Sequence, residues 1–193
     1  ALATARAMLA AATADGVVVI IEPALRDTSR ALHGVRDALI DGGHATVLGP
    51  CTRRAAPCPA LADLRDWCHD HRPLSLPPRT HQLARATGLR DGDLKLAYLT
   101  LARSGAAVAL SPAVRVIDDP RGEKGKHGLT ACGDAGWVPL RLLRRHRTAD
   151  NRAFERARRG DLLTITPTPA LSAGVTFDLG DDDAVELAAL ERG

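Results

Sequence analysis

Val17-Val-Val-Ile-Ile-Glu-Pro23 is the stretch that decides the fold, and two further segments, Ala24 to Leu39 and Ala45 to Leu48, build on it. The first five residues are β-branched and do not alternate with polar ones, which predicts a strand buried on both faces of a parallel sheet. Residues 24–39 carry apolar side chains near one helical face, and Asp41-Gly42-Gly43 ends that helix. A second short strand over 45–48 completes a strand–helix–strand unit with a right-handed crossover. The sequence therefore predicts an α/β fold.

Further strands and helices are predicted along the rest of the chain. Residues 1–14 have the alanine-rich composition of a helix, and Leu94 to Ala102 alternates in part, as a strand does. Beyond residue 104, short apolar runs separated by Gly, Pro and Asp clusters predict a small antiparallel unit. Its expected strands are Val114–Ile117, Gly128–Cys132, Trp137–Leu143 and Leu162–Thr166, and its expected helices are Asp150–Arg159 and Asp181–Arg192. No run of about 18 apolar residues occurs, so no membrane-spanning segment is predicted.

Four cysteines stand in unusual flanking sequence. Gly49-Pro50-Cys51, Pro57-Cys58-Pro59 and Trp67-Cys68-His69 lie in one irregular stretch, whereas Ala131-Cys132-Gly133 lies far downstream. Four thiols with none left over are what a tetrathiolate metal or iron–sulfur site requires. Two other interpretations stay open, namely two disulfides or four independent buried thiols. A chain of 193 residues with 45% apolar composition buries a core without disulfides, which favours the metal site.

The spacing of the cysteines bears on the choice of metal. Cys51, Cys58 and Cys68 are separated by six and nine residues. Zinc ribbons and fingers use close pairs with about two to four intervening residues, and this chain has no such pair. The spacing therefore favours an iron–sulfur cluster modestly, and zinc remains the alternative. Arg53 and Arg54, in the same loop, either offset the negative charge of a cluster or are simply solvated.

Charge is distributed unevenly along the chain. Residues 141–159 hold eight arginines against two acidic residues, whereas residues 177–193 hold six acidic residues against one arginine. A basic segment favours RNA, because neutralising phosphates releases counterions. However, a chain with 23 arginines and 3 lysines can owe its basic segment to genomic base composition alone. Aromatic residues make up 3%, so the expected contacts are to the RNA backbone rather than stacked bases. The candidate contact residues are Arg141, Arg144, Arg145, Arg147, Lys124 and Lys126.

Several segments, taken in order, resemble one known family. They are Glu22-Pro23, the four cysteine motifs, the strand Leu94-Lys-Leu-Ala-Tyr-Leu-Thr-Leu-Ala-Arg103 and the segment Pro120-Arg-Gly-Glu-Lys-Gly-Lys-His-Gly-Leu-Thr-Ala-Cys132. In these segments the chain resembles the methyltransferase-like proteins of the small ribosomal subunit, found in bacteria and mitochondria. The likeness runs from Gly16 to about Asp161.

The resemblance implies a fold, a cofactor and a partner. The implied fold is the carboxyl-terminal half of a class I, Rossmann-like methyltransferase domain with a cysteine-rich insertion and a small antiparallel β extension. It divides the chain into residues 1–103, with the cluster loop at 49–72, and residues 104–193, with a basic helix and an acidic tail. The implied partner is the small ribosomal subunit and its rRNA. His69, in the Trp-Cys-His motif, is either a metal ligand or a neighbour of the cluster, and the neighbour is favoured because four cysteines already suffice. The implied ligands of a [4Fe–4S] cluster are Cys51, Cys58, Cys68 and Cys132.

The chain departs from the family in one respect. A pocket for S-adenosylmethionine needs a strand–Gly-x-Gly–helix pattern, and none precedes Val17. We therefore expect a carboxyl-terminal fragment, in which the methyl donor is bound only by the full-length protein. Catalytic residues stay unassigned. Glu22 and Pro23 either edge a substrate pocket or form a turn, and the turn is favoured.

Three functions follow as hypotheses. The favoured one is an assembly factor of the small ribosomal subunit that contacts RNA and binds a [4Fe–4S] cluster. The others are an active rRNA methyltransferase and a zinc-stabilised interaction module without an RNA role. We expect a monomer in the bacterial cytoplasm that associates with ribosomes and not with membranes.

Overall fold

In the part of the chain that the structure describes, the first of two β-sheets is built from four strands. The computed structural model describes residues 1–88, 92–106 and 113–188. β4 (Asp93–Arg103) is the central strand and is antiparallel to its neighbours. One edge of β4 pairs with β1 (Val17–Pro23), and the other pairs with β2 (Ala45–Gly49) and then with β3 (Asp70–Pro73). β1 and β2 are therefore parallel to each other, on either side of an antiparallel strand.

The prediction that the first strand is buried on both faces of a parallel sheet is wrong. Val18 is 5% exposed, whereas Val19 and Ile21 are 50% and 64% exposed. The reason is that α1 (Leu2–Ala11) and α2 (Arg26–Asp41) pack together on one face of the described sheet. A short apolar run does not by itself say how many faces of a strand are covered.

The core of this first unit lies between the two helices and the sheet. Leu32, Val35 and Leu39 recur at helical spacing in α2 and are buried against Leu99 and Leu101 of β4. Burying a leucine side chain fully contributes about 1.5–3 kcal/mol, so this apolar stripe fixes α2 on the sheet. The opposite stripe of α2 is polar, and its side chains form hydrogen bonds to the chain that follows β2. A third helix, α3 (Pro78–Ala86), follows β3.

The second sheet has seven strands. They are β5 (Val114–Val116), β6 (Arg121–Glu123), β7 (Lys126–Gly133), β8 (Gly136–Leu143), β9 (Leu162–Thr166), β10 (Phe177–Leu179) and β11 (Ala184–Ala188). Their order is β10-β8-β7-β5-β9-β11, and β6 pairs with β7. The predicted antiparallel strands are present, although β10 is parallel to β8. Alternate residues of β8 are buried, and they face a core that includes Phe154.

Two predicted helices of the second half are wrong. Residues 150–159 form only a short 3-10 helix, Arg152–Arg156. Residues 184–188 of the predicted acidic helix form β11, and residues 189–193 lie outside the described part of the chain. The cause is tertiary pairing: Val185 lies opposite Ile165 of β9, and this contact overrides the helix propensity of the Ala- and Leu-rich segment.

The described chain is thus a mixed α/β structure. The first sheet uses strands from residues 17–103 and the second uses strands from residues 114–188. The predicted division into domains at residues 103 and 104 stays a prediction. Among the described residues, no helix combines the length and the apolar character that crossing a membrane requires.

Candidate functional site: the cysteine loop

The loop between β2 and β3, residues 50–69, is here called the cysteine loop. It leaves the first sheet at the end of β2 and returns to it at β3, and both strands pair with the same edge of β4. β2 reaches Thr100 and β3 begins at Leu96, so the two ends of the loop are only a few β4 residues apart. A single 3-10 turn, Pro59–Leu61, is its only helical element. The loop is therefore held at both ends but must be organised by side chains in between.

The structure brings the four predicted cysteines together. Cys51, Cys58 and Cys68 lie in the cysteine loop, and Cys132 reaches them from β7 of the second sheet. Cys58, Cys68 and Cys132 belong to one packed cluster that also contains Ile117. All four thiols are free, with no disulfide among them. Residues far apart in the sequence thus meet where the two sheets meet.

Burial and mutual repulsion both act on these thiols. Burial raises the pKa of Cys58 to about 12, and the charges of Cys51 and Cys68 add to this effect. Burial likewise raises the pKa of Cys132 to about 12, again reinforced by the other three cysteines. Such thiols keep their protons at neutral pH unless a cation replaces those protons. The site therefore favours thiolates only together with bound positive charge.

The polar stripe of α2 organises the cysteine loop through its backbone. Arg30 donates from Nη1 to the carbonyl oxygens of Ala60, Asp63 and Asp66 at 2.8, 2.6 and 2.7 Å. His33, one turn further, places Nε2 3.0 Å from the carbonyl oxygen of Cys68. These bonds satisfy loop carbonyls that have no partner in a sheet or helix.

Arg36 and Asp37 continue the same stripe nearer to the thiols. The buried Arg36 is paired with Asp37 and donates from Nη2 to the carbonyl oxygen of Arg53 at 2.5 Å. Asp37 in turn accepts a hydrogen bond from the backbone N–H of Cys58 at 2.7 Å. Burial lowers the pKa of Arg36, but the charges of Cys51 and Cys58 outweigh this and leave the pKa above its ordinary value. The Arg36 guanidinium is thus a fixed cation beside two of the thiols.

A second buried ion pair approaches from the other sheet. Arg115 of β5 is paired with Asp70, the first residue of β3, and its Nη1 donates to Cys68 Sγ at 3.2 Å. Arg115 and Asp70 are 3% and 1% exposed. Buried charges are costly unless they are paired, so the guanidinium and the carboxylate hold each other in place. The thiols therefore lie between two buried arginines, one from α2 and one from β5.

Further bonds fasten the cysteine loop to the second sheet. Thr52 Oγ1 donates to the carbonyl oxygen of Cys132 at 2.9 Å. Arg53 donates to the carbonyl oxygen of Asp134, and the backbone N–H of Arg54 donates to the Asp134 carboxylate at 3.2 Å. Arg53 and Arg54 thus bridge the loop to the β7–β8 turn. The cations that contact the thiols are Arg36 and Arg115 instead.

His69 is the last residue of the cysteine loop and directly follows Cys68. Its ring stacks on Trp67 with centroids 6.0 Å apart, and its buried Nδ1 has no hydrogen-bond partner in the described structure. Burial lowers the pKa of His69 to about 4, and the charges of Arg159 and Lys95 contribute. The imidazole is therefore neutral at pH 7.

The predicted RNA-contact residues fall into two groups. The turn that carries Lys124 and Lys126 adjoins Arg144, because the Arg144 N–H donates to the carbonyl oxygen of Gly125 at 2.9 Å. Lys124, Arg144 and the neighbouring Arg145 are exposed. Three other predicted cations are paired with acids: Lys126 with Glu123 at 2.9 Å, Arg147 with Glu155 at 2.5 Å and Arg141 with Asp178 at 2.6 Å. We call Lys124, Lys126, Arg144, Arg145 and Arg147 the basic surface.

Sequence reasoning missed the charged residues that surround the thiols. They are Arg30, His33, Arg36, Asp37, Asp70 and Arg115. One available signal was a polar stripe at helical spacing on α2, opposite its apolar stripe. Another was an arginine inside the apolar run Val114-Arg-Val-Ile117. A charge that interrupts a buried strand needs a partner, and here it has one.

Metal binding was the role predicted for the four cysteines. Across residues 1–88, 92–106 and 113–188, no group of three or more His, Cys, Asp or Glu side chains is arranged so that it could hold a metal ion. The four-cysteine ligand set therefore stays a prediction. The chemistry of the surroundings is compatible with such a ligand set. Four thiols lie near two buried guanidinium groups. The Nε atoms of Arg36 and Arg115 are buried without a partner in the described structure.

Comparison with known proteins adds an independent finding. The chain matches the protein family described as mitochondrial small ribosomal subunit Rsm22 over residues 4–163. The matched region includes the first sheet, the cysteine loop and all four cysteines. No curated protein matches the chain. Because the match covers most of the chain, this protein belongs to the Rsm22 family of the small ribosomal subunit.

Proposed function

We propose that this protein acts in the assembly of the small ribosomal subunit, contacts its RNA, and carries a [4Fe–4S] cluster. The single observation that carries the proposal is that Cys58 and Cys68 of the cysteine loop pack with Cys132 of the second sheet, within electrostatic reach of Cys51, in a chain of a small-subunit family. Each part of the proposal draws on a different region of the molecule. The cysteine loop supports the cluster, the first sheet supports the methyltransferase-like fold, and the basic surface supports RNA contact.

The cluster would be held by Cys51, Cys58, Cys68 and Cys132. Bound there, it would supply an inorganic cross-link between the two sheets. The chain's own residues prepare this place: α2 fixes the loop carbonyls, Asp37 orients Cys58, and Arg115 donates to Cys68.

The first sheet supports a methyltransferase-like fold. β1 and β2 are parallel and flank the antiparallel β4, and α1 and α2 cover one face. This is the arrangement expected of the last three strands of a class I methyltransferase sheet. The outer edge of β1 has no strand beside it among the described residues, and Val17, Val19 and Ile21 are exposed there. Further elements of such a fold would pack at this edge and face.

Methyl transfer from S-adenosylmethionine remains a second candidate function, favoured only by this strand order. No residue of the chain is assigned to the methyl donor. Titration calorimetry of full-length protein with S-adenosylmethionine tests it, and absence of binding removes it. The fold would then serve as a scaffold.

The basic surface supports contact with the RNA backbone. Its exposed cations Lys124, Arg144 and Arg145 adjoin one another, and phosphate neutralisation by such residues releases counterions. These residues give no support for sequence-specific hydrogen bonds to base edges. RNA affinity of this kind falls steeply with salt concentration.

Cosedimentation with ribosomal subunits tests the proposed function. The protein is mixed with purified small and large subunits over a series of salt concentrations. We expect it to sediment with small subunits and to be released as salt rises. Equal sedimentation with both subunits, or binding that salt leaves unchanged, would contradict the proposal.

A further inference from the structure

Arg115 is a buried cation that contacts a thiol directly. Its Nη1 donates to Cys68 Sγ at 3.2 Å, and its Nη2 donates to Asp70. The side chain is 4% exposed, and that of Asp70 is 0% exposed. The remaining donor, Nε, is buried without a partner in the described structure. An arginine in this setting has both a fixed orientation and an unused donor.

The second sheet presents this arginine together with a cysteine. Arg115 of β5 and Cys132 of β7 are cross-strand partners, so their side chains lie on the same face of the sheet. Burial lowers the pKa of Arg115, but the charges of Cys68, Asp70 and Cys51 outweigh it and leave the pKa above its ordinary value. The guanidinium thus keeps its charge although it is out of contact with water.

We propose that Arg115 sets the reduction potential of the iron–sulfur cluster through its N–H···S hydrogen bond and its positive charge, an inference that rests on the proposed function. Hydrogen bonds to the sulfurs, net charge and solvent exposure are what tune such potentials. Reduction adds one electron to an anionic group, so a nearby donor and cation stabilise the reduced form. Asp70 acts in the opposite direction, because its carboxylate disfavours added negative charge while it orients the guanidinium.

The test uses whole protein purified without oxygen. Iron and acid-labile sulfide are counted first, and the cluster is then titrated with dithionite while electron paramagnetic resonance follows the reduced form. Dithionite dissociates into two sulfur dioxide radical anions; each gives one electron to a cluster and ends as sulfite, and no bond at the cluster forms or breaks. Arg115→Met is expected to shift the midpoint to a more negative potential, and Asp70→Asn to a less negative one.

Two further variants keep the experiment decisive. Arg115→Met leaves Asp70 buried beside less positive charge and risks misfolding, so Arg115→Met with Asp70→Asn removes both charges together. This double variant is expected to titrate at a more negative potential than Asp70→Asn alone, because only the N–H···S bond and the arginine charge differ. Arg30→Met is the matched control: Arg30 also holds the cysteine loop, but through the carbonyl oxygens of Ala60, Asp63 and Asp66. Its midpoint is expected to equal that of the unaltered protein.

The outcomes separate this inference from the proposed function. Full iron content with an unchanged midpoint in both Arg115 variants overturns the role of Arg115 and leaves the cluster in place. Loss of iron from both variants would show that Arg115 is needed to keep the cysteine loop folded around the cluster. That result would likewise overturn its role in setting the reduction potential. Absence of iron and sulfide from the unaltered protein overturns the proposed cluster and the inference with it.

Discussion

The arginines near the cysteine loop and those of the basic surface differ in their burial and in their pairing with acids. Beside the cysteine loop, Arg36 of α2 and Arg115 of β5 are buried, and each is paired with one buried or nearly buried aspartate. At the basic surface the arginines are exposed, and Arg147 is paired with a partly exposed acid. A fixed and desolvated cation suits a bound group of fixed position, whereas an exposed cation suits a flexible polyanion. This contrast is the basis for testing the proposed inorganic ligand at one place and the proposed RNA contact at the other.

The largest effect is expected from removing one thiol. Cys132→Ser replaces the only cysteine that the second sheet contributes, and a serine hydroxyl does not replace a thiolate ligand at neutral pH. We expect loss of the cluster, measured as iron and sulfide per chain, and faster amide exchange throughout the cysteine loop. Thr52→Val is the control, since it removes a hydrogen bond to the Cys132 carbonyl oxygen, worth about 1 kcal/mol, and leaves every thiol. Full iron content in the serine variant would show that Cys132 is not a ligand of the cluster.

The next effect compares two Arg–Asp neighbours on the same helix. Asp37→Ala leaves the buried Arg36 and the Cys58 N–H without their partner, which is expected to lower the free energy of unfolding by about 3–5 kcal/mol. Asp27→Ala breaks the exposed pair with Arg26 and is expected to cause no measurable loss. Denaturant unfolding followed by circular dichroism measures both. Equal losses in the two variants would show that burial does not distinguish these pairs.

Sequence reasoning reached the composition of the site but not its surroundings. The flanking residues of Cys51, Cys58, Cys68 and Cys132 singled them out, and Cys58, Cys68 and Cys132 pack in one cluster; their role as ligands stays a prediction. The partners of Arg115 could not be foreseen, because Asp70 and Cys68 reach it across two sheets and register is set by tertiary packing. A cross-strand neighbour such as Cys132 is visible only once strands are paired.

The same distinction explains the errors in the fold. The strand–helix–strand order over 17–49 was predictable from local patterns, whereas the insertion of β4 between β1 and β2 was not readable from periodicity. The acidic segment has helix-forming residues, yet residues 184–188 pair with β9 because alternate apolar side chains fit that sheet. Local propensity fails where a non-local partner is available.

A smaller effect is expected at the exposed side of the molecule. Arg144→Glu with Arg145→Glu should weaken binding to small-subunit RNA and reduce its salt dependence. The slope of log affinity against log salt is expected to fall by about 1 for each phosphate that the variant no longer neutralises. Arg26→Glu, on the exposed face of α2, is the matched charge reversal and should leave binding unchanged. Filter binding at several salt concentrations measures this, and equal slopes for all proteins would show that the basic surface does not bind RNA.

The smallest effect concerns Arg141, which Asp178 neutralises. Two hydrogen bonds from Arg141 at 2.6 Å hold the pKa of Asp178 below its ordinary value, so the pair is intact at neutral pH and is lost only as pH falls into the acid range. Asp178→Asn leaves the Arg141 charge without a counterion and should increase RNA affinity slightly. The same filter-binding assay measures it at pH 7. Unchanged affinity would show that the freed Arg141 charge does not contribute to RNA binding.

The decisive measurement is the metal and sulfide content of protein purified without oxygen, together with its visible absorption spectrum. If the four sulfurs hold one cluster, the protein is brown, with a broad charge-transfer band and about four irons and four sulfides per chain. A colourless protein that carries one zinc ion, or no metal at all, would contradict the four-cysteine cluster.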